Sequence, residues 1–214
     1  MFQSLTSYLL GTFAALFPIA NPMGAVVIFY SLTSAYSHRY RLKLASKTAL
    51  NVILVLMTFF LVGKLILDLF GLSLGVLRIA GGLIVGHTAW DMVAAKHKLT
   101  TEEHQAAIDQ EDISFTPMAI PIISGPGAIG VAIGQATLVR EWIDYLGCLL
   151  GIGLLGVIVY LFLRLGEPLI RRLGKTGMGA LNRILGFLIL AIAIQLISNG
   201  TLELLKNAAP NLFK

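Results

Sequence analysis

Four stretches of the chain, residues 1–38, 113–139, 145–163 and 184–202, carry no Asp, Glu, Lys or Arg. A run of about 18–20 apolar residues is what a helix needs to cross the hydrocarbon core of a bilayer. Taken together, the hydrophobic and polar positions predict six spans, at roughly 4–34, 43–69, 72–95, 113–139, 142–165 and 178–205. A polar segment with charges of both signs, 96–112, separates the third span from the fourth. The third span is the weakest, because Arg78 and Asp91 bracket only a dozen residues between them. The pattern predicts an all-α polytopic membrane protein, a single transmembrane domain over 1–214.

Two of these spans are interrupted in their middle. The first contains Phe17-Pro18-Ile19-Ala20-Asn21-Pro22-Met23-Gly24-Ala25, and the fourth contains Ile120-Pro121-Ile122-Ile123-Ser124-Gly125-Pro126-Gly127-Ala128. Proline removes an amide donor and clashes with the preceding turn, so a continuous helix is expected to break at both places. Within a bilayer the freed backbone groups are tolerated only where protein or a water-filled cavity satisfies them.

The two interruptions correspond. An offset of 103 residues places Pro18 on Pro121, Asn21 on Ser124, Gly24 on Gly127 and Ala25 on Ala128. Near the end of each half, Arg78-Ile79-Ala80-Gly81-Gly82 matches Arg183-Ile184-Leu185-Gly186-Phe187 at an offset of 105. The second and fifth spans show no such match. With three spans in each half, residues 1–95 and 113–214 form an inverted repeat with discontinuous helices 1 and 4. Such a repeat points to a binding site near the membrane midplane.

Composition agrees with the pattern. Hydrophobic residues make up 57% and charged residues 13%, with a mean hydropathy of +0.84, whereas soluble domains carry about 25% charged residues. In a soluble domain a net charge of +5 would suggest a nucleic-acid partner. Here the Lys and Arg residues collect in connections instead: Arg39, Arg41, Lys43 and Lys47; Lys96 and Lys98; Arg164, Arg171, Arg172 and Lys175. By the positive-inside rule those loops, including 96–112, are cytoplasmic and both termini lie outside. The first span lacks a positive flank and is expected to be retained rather than cleaved. Cys148, the sole cysteine, excludes an intrachain disulfide and argues against a cysteine-based metal site; no cofactor is implied.

The candidate chemistry lies in the backbone of the breaks. A second half-helix is expected to start at Pro22 or Met23 and another at Pro126. Proline suits the first helical position, and Asn21 and Ser124 are residue types favoured just ahead of a helix. Unpaired amides at such starts attract a carboxylate, and carbonyls freed before the breaks can accept from an ammonium. Asn21, Pro22, Met23, Gly24, Ser124, Gly125, Pro126 and Gly127 are therefore the candidate substrate-binding residues. The glycines admit close approach of a ligand and leave little room for a large one. Gln195, inside the sixth span, is added as a residue that either lines the site or bonds another helix; Asn51 is a weaker candidate of the same kind. Arg78 and Arg183 are read as snorkelling to the interface, and Lys64 with Asp68 as an interfacial pair. His87 with Asp91 is read as a solvated or paired helix end, and as a proton relay only secondarily. Gly147 with Gly151, and Gly82 with Gly86, have the spacing of close helix packing.

Residues Pro18 to Gly24 with their Asn-Pro-x-Gly core, Leu77-Arg78-Ile79-Ala80-Gly81-Gly82, Pro117 to Ile129 with a Gly-Pro-Gly-Ala-Ile core, and Arg183-Ile184-Leu185-Gly186 form an ordered set. That set resembles the MarC family of bacterial and archaeal integral membrane proteins over nearly the whole chain. The resemblance implies an inner-membrane protein, and the family's SnatA-type members transport small neutral amino acids such as glycine and alanine. Ser124 stands where Ala is frequent in the family, and segment 96–112 matches no recognisable pattern.

The expectation is a secondary transporter of small neutral amino acids working by alternating access. Membrane lipids and a coupling ion, H⁺ or Na⁺, would be its other partners. A pore-forming channel and a non-transporting assembly factor are the alternatives. An intramembrane enzyme is disfavoured, because Ser124 has no Lys partner at a convincing position.

Overall fold

The computed structural model describes residues 2–94, 110 and 112–209. Helices follow one another as α1 (Phe2–Ala20), α2 (Pro22–Leu32), α3 (His38–Phe70), α4 (Leu74–Val93), α5 (Ser114–Ile123), α6 (Pro126–Ala136), α7 (Trp142–Arg164) and α8 (Gly166–Ala208). No strand occurs among the described residues. Most of segment 96–112, with Lys96 and Lys98, lies outside them.

Both expected breaks are present. α1 and α2 meet at a bend of 45°, and α5 and α6 at 70°. Three helices, His38–Phe70, Trp142–Arg164 and Thr176–Ala208, are long and apolar enough to span a bilayer alone; counting each bent pair as one span gives up to 5. α4 has 20 residues, long enough to span, but Arg78 and Asp91 dilute its apolar character.

Two elements depart from expectation. α5 is not a regular half-helix, because Thr116 (φ −116°, ψ 127°) and Ile120 (φ −125°, ψ 128°) are extended. Each precedes a proline, whose ring excludes the helical conformation for the residue before it. The chain compensates with wide turns: the Met118 amide donates to the Ile113 carbonyl at 3.2 Å and the Ser124 amide to the Ala119 carbonyl at 2.7 Å. The connection expected ahead of residue 178 is also helical. α8 starts at Gly166 and breaks at Gly174, whose φ of 64° only glycine adopts without strain.

Polar caps fix the helix ends. Ser37 and Ser73 accept amides from Tyr40 and Val76, each at 3.3 Å. Asp144 accepts from the amides of Arg140 and Glu141, each at 3.1 Å, and from Ser4 Oγ at 2.7 Å, so it joins the starts of α1 and α7. Asp112 holds the approach to α5, with Lys47 Nζ at 2.5 Å and the Ser114 amide at 3.0 Å.

Helices pack chiefly as two pairs, α4 with α8 and α1 with α7, each along a seam of glycines. A Cβ on Gly147 or Gly151 would lie 2.9 Å from the Leu5 carbonyl oxygen or 2.7 Å from that of Leu9. On the other pair, a Cβ on Gly82 would lie 2.9 Å from the Ala193 oxygen, and one on Gly200 2.6 Å from that of Gly75. Gly86 is looser, in ordinary contact with the Ala193 methyl. Such backbone approach is how membrane helices gain packing without a hydrophobic drive. Outward faces are apolar, as lipid requires: Leu54, Leu61, Leu65 and Leu69 on α3, and Ile184, Phe187 and Leu188 on α8, are exposed.

Two outcomes follow from this packing. Gly151→Leu should force α1 from α7 and destabilise the fold by about 1–3 kcal/mol or more, whereas Gly153→Leu meets open space and should leave the melting temperature in detergent unchanged. Burial pushes the Asp112 carboxyl up, but hydrogen bonds from Lys47 and from Ser114 outweigh it and bring its pKa from 3.8 down to about 2. Its stabilising contribution is therefore present above 3.8 and lost as the pH falls through about 2. Asp112→Asn should flatten the acid limb of the stability profile across that window.

Candidate functional site

Asn21 is the single residue between α1 and α2. Its backbone is left-handed, φ 45° and ψ 63°, a region that Asn tolerates better than other side-chain-bearing residues. The turn lets one residue serve both helices. Its amide donates to the Phe17 carbonyl at 3.1 Å, and its carbonyl accepts from Ala25 at 3.1 Å. The side chain caps α2, with Oδ1 accepting the Gly24 amide at 3.1 Å. Nδ2 then faces Met92 Sδ on α4 and Asn182 Oδ1 on α8, each at 3.4 Å. The residue is only 3% exposed. Gly24 makes room for this carboxamide, since a Cβ there would overlap Asn21 Nδ2.

At the second break the residue ahead of the helix is Gly125, not Ser124. Gly125 is extended (φ −70°, ψ 176°) before Pro126, and no side chain caps α6. The proline imposes that extended geometry on its predecessor and displaces Ser124 from the capping position. Ser124 is fully buried and its Oγ has no hydrogen-bond partner among the described residues.

The two helix starts therefore differ in what they leave open. In α2, Pro22 has no N–H and Gly24 is bonded to Asn21, which leaves the Met23 amide. In α6, Pro126 has no N–H, and the amides of Gly127 and Ala128 have no intrahelical acceptor.

A cavity of about 300 Å³ joins the breaks, lined by Asn21 from the first and by Gly125, Pro126, Gly127 and Ala128 from the second. Of the candidate residues it thus gathers Asn21, Gly125, Pro126 and Gly127. Pro22, Met23, Gly24 and Ser124 stand behind or beside its wall. Gln195 lies elsewhere, on the exposed side of α8, with Nε2 donating to Asn199 Oδ1 at 2.8 Å.

Most of the remaining wall comes from α4, through Ile84, Val85, His87, Thr88, Asp91 and Met92, with Ile19 of α1, Pro121, Ile122 and Ile123 of α5 and Ile189 of α8 completing it. His87 Nδ1 lies 3.6 Å from Asp91 Oδ2 and the His87 side chain is largely exposed, so the pair is the paired, solvated helix end expected, and it also borders the cavity. Sequence reasoning noticed the pair but had no means of bringing α4 against the breaks. It missed Asn182, whose only signal is a carboxamide beside Arg183 in an apolar run.

A second cavity, of about 190 Å³, shares Ile19 and Gly127 with the first. It extends toward the opposite end of α4, past Gly81 to Arg78 and Leu77, and along α6 to Gln135 and Leu138. The division between the two is thin. A Cβ on Gly127 would overlap Val85 Cγ2 and stand 3.5 Å from Ile19 Cγ2. No cluster of His, Cys, Asp or Glu suited to a metal ion occurs among the described residues.

The helical fold, its lipid-facing apolar surface and the broken helices in its apolar interior define an integral membrane protein. The chain belongs to the MarC family of integral membrane proteins, whose family model matches residues 6–205. It is similar to a UPF0056 membrane protein of Methanocaldococcus jannaschii, 36% identical over 90% of this chain and 95% of that one. It is also similar to the UPF0056 membrane protein YvbG of Bacillus subtilis, 32% identical over 91% and 94%. The UPF0056 inner membrane protein MarC of Escherichia coli is 32% identical over 89% and 92%. No solved structure matches.

The geometry of Asn21 separates its two roles. Asn21→Ala loses the cap and places a Cβ residue in the left-handed region, at a cost of about 1–2 kcal/mol. Asn21→Gly keeps the backbone and should cost only a few tenths of a kcal/mol. Thermal melting of the two variants in one detergent should show that order.

Proposed function

We propose that this protein is a secondary transporter of small neutral amino acids, the glycine and alanine class, working by alternating access. The observation that carries the reading is the pair of cavities on either side of one thin partition, Ile19–Gly127–Val85, with both helix breaks beside it. A carrier needs a site reachable from each side in turn and from both sides never. The separation of the cavities supports a carrier over an open pore.

In this reading the six spans are two inverted three-span repeats, the broken pairs being spans one and four. The chain sits in the inner membrane with both termini outside and the His87 end of the first cavity on the cytoplasmic side. The substrate carboxylate takes the Gly127 and Ala128 amides at the positive end of α6. Its ammonium turns to Asp91 and to carbonyls that the prolines leave free. At about 300 and 190 Å³, the cavities fall at or below the low end of the ~300–1,000 Å³ typical of drug-sized ligands, which suits a small substrate. The amino-acid class itself comes from the resemblance to SnatA-type members. A proton or sodium gradient would drive the cycle, and His87 with Asp91 is the pair that would register a proton.

Proteoliposomes containing the full chain test this. The wild type should take up radiolabelled alanine saturably and in response to an imposed H⁺ or Na⁺ gradient. Asn21→Gly, folded but without the carboxamide that ties the break to α4 and α8, should lose about ten-fold through misplacement of the site. Gly127→Leu, which fills the partition, should abolish uptake. Fast non-saturating flux would identify a pore instead. Normal uptake by both folded variants would refute the site.

A further inference from the structure

We propose that the second cavity is a binding station for the carboxylate of a small α-amino acid, with the Arg78 guanidinium as its anchor. The inference deepens the transport reading and rests on it for the identity of the ligand.

The Arg78 side chain is 26% exposed, and Nη1 pairs with Glu203 Oε2 at 2.5 Å. That contact ties α4 to α8 but occupies one of the five N–H donors of a guanidinium. Glu203 does not line the cavity; Arg78 does. The other polar groups on the wall are the carboxamides of Asn199 and Gln135. Asn199 Oδ1 accepts from Gln195, and its N–H₂ stays available to donate. The Gln135 carboxamide has no hydrogen-bond partner among the described residues. No acidic side chain lines this cavity. A guanidinium and two carboxamides on one wall without an acid suit an anion. The planar fork of Arg matches a carboxylate better than a lysine ammonium would.

The remainder of the wall selects for size and polarity. Leu77, Ile192, Leu196 and Leu138 are aliphatic and accept a short side chain. Gln135 can turn its Oε1 toward an ammonium. Ile19 and Gly127 close the inner end, so an amino acid held at Arg78 waits one partition away from the helix breaks. Interfacial snorkelling would explain a lone arginine, but not two carboxamides with donors to spare on the same cavity wall.

The experiment is equilibrium binding of radiolabelled alanine to the full chain in nanodiscs, with propionate as competitor. The variants are Glu203→Gln, Arg78→Gln and the double substitution. Glu203→Gln frees the guanidinium and should bind alanine as tightly as the wild type or more so. Arg78→Gln should weaken binding ten-fold or more. Should that variant fail to fold with Glu203 left unpaired, the double variant carries no orphan charge and should be ten-fold weaker than Glu203→Gln. A purely structural ion pair predicts equal losses in both single variants, and that result overturns the proposal. Equal affinity of Glu203→Gln and the double variant overturns it as well, while leaving wild-type transport standing. If the wild type transports no amino acid, the transport reading fails; Arg78-dependent binding of alanine or propionate in that protein would still uphold the station. Absence of any alanine or propionate binding refutes it.

Discussion

A backbone amide or carbonyl set free inside an apolar surrounding must find a partner or lie against a polar cavity. In this protein that constraint is concentrated at two points, because prolines interrupt two otherwise apolar spans. Asn21 meets it at the first point with one residue. Its left-handed backbone closes α1, its side chain opens α2, and its remaining amide protons reach Met92 and Asn182. Four helices therefore meet at one residue, and the missing Cβ of Gly24 makes the room its carboxamide needs.

The cavities depend on this joint and on the glycine seams around it. α1 lies on α7, and α4 on α8, at backbone contact distance, so neither pair can open internally without losing its packing. Between the pairs, Ile19 of α1 and Val85 of α4 close around Gly127 of α6. Packed interfaces of this kind have discrete arrangements rather than a continuous range.

Much of this was legible in the chain. Proline and glycine act locally, so the breaks at 17–25 and 120–128 could be read from the sequence, as could the glycine seam at Gly147 and Gly151. What failed to appear was anything that depends on which face of an apolar helix looks inward. Residues 184–194 of α8 are apolar on every side, so the sequence could not tell that Gln195 faces outward and Asn182 inward. The register of the second cap was missed by one residue because two rules compete there. Ser is the better capping residue, but the extended geometry demanded before Pro126 makes Gly125 the last non-helical position. Arg78 and His87 were noticed for their charge and assigned to helix ends, since only the packing of α4 against α6 and α8 turns them toward cavities.

The breaks correspond in sequence, yet they are not chemically equivalent. In α2 the Asn21 side chain has already taken the Gly24 amide, so that start is self-satisfied and stiff. In α6 Gly125 has no side chain to offer, and Ser124 is turned into the core, leaving Gly127 and Ala128 uncapped at the cavity wall. One half of a repeated motif thus supplies the joint and the other the open donors. A symmetric pair of caps would have left no open donors beside the cavity, and a symmetric pair of uncapped starts would have left two unsupported bends. Matching positions in the two breaks thus give one capped, braced start and one open start.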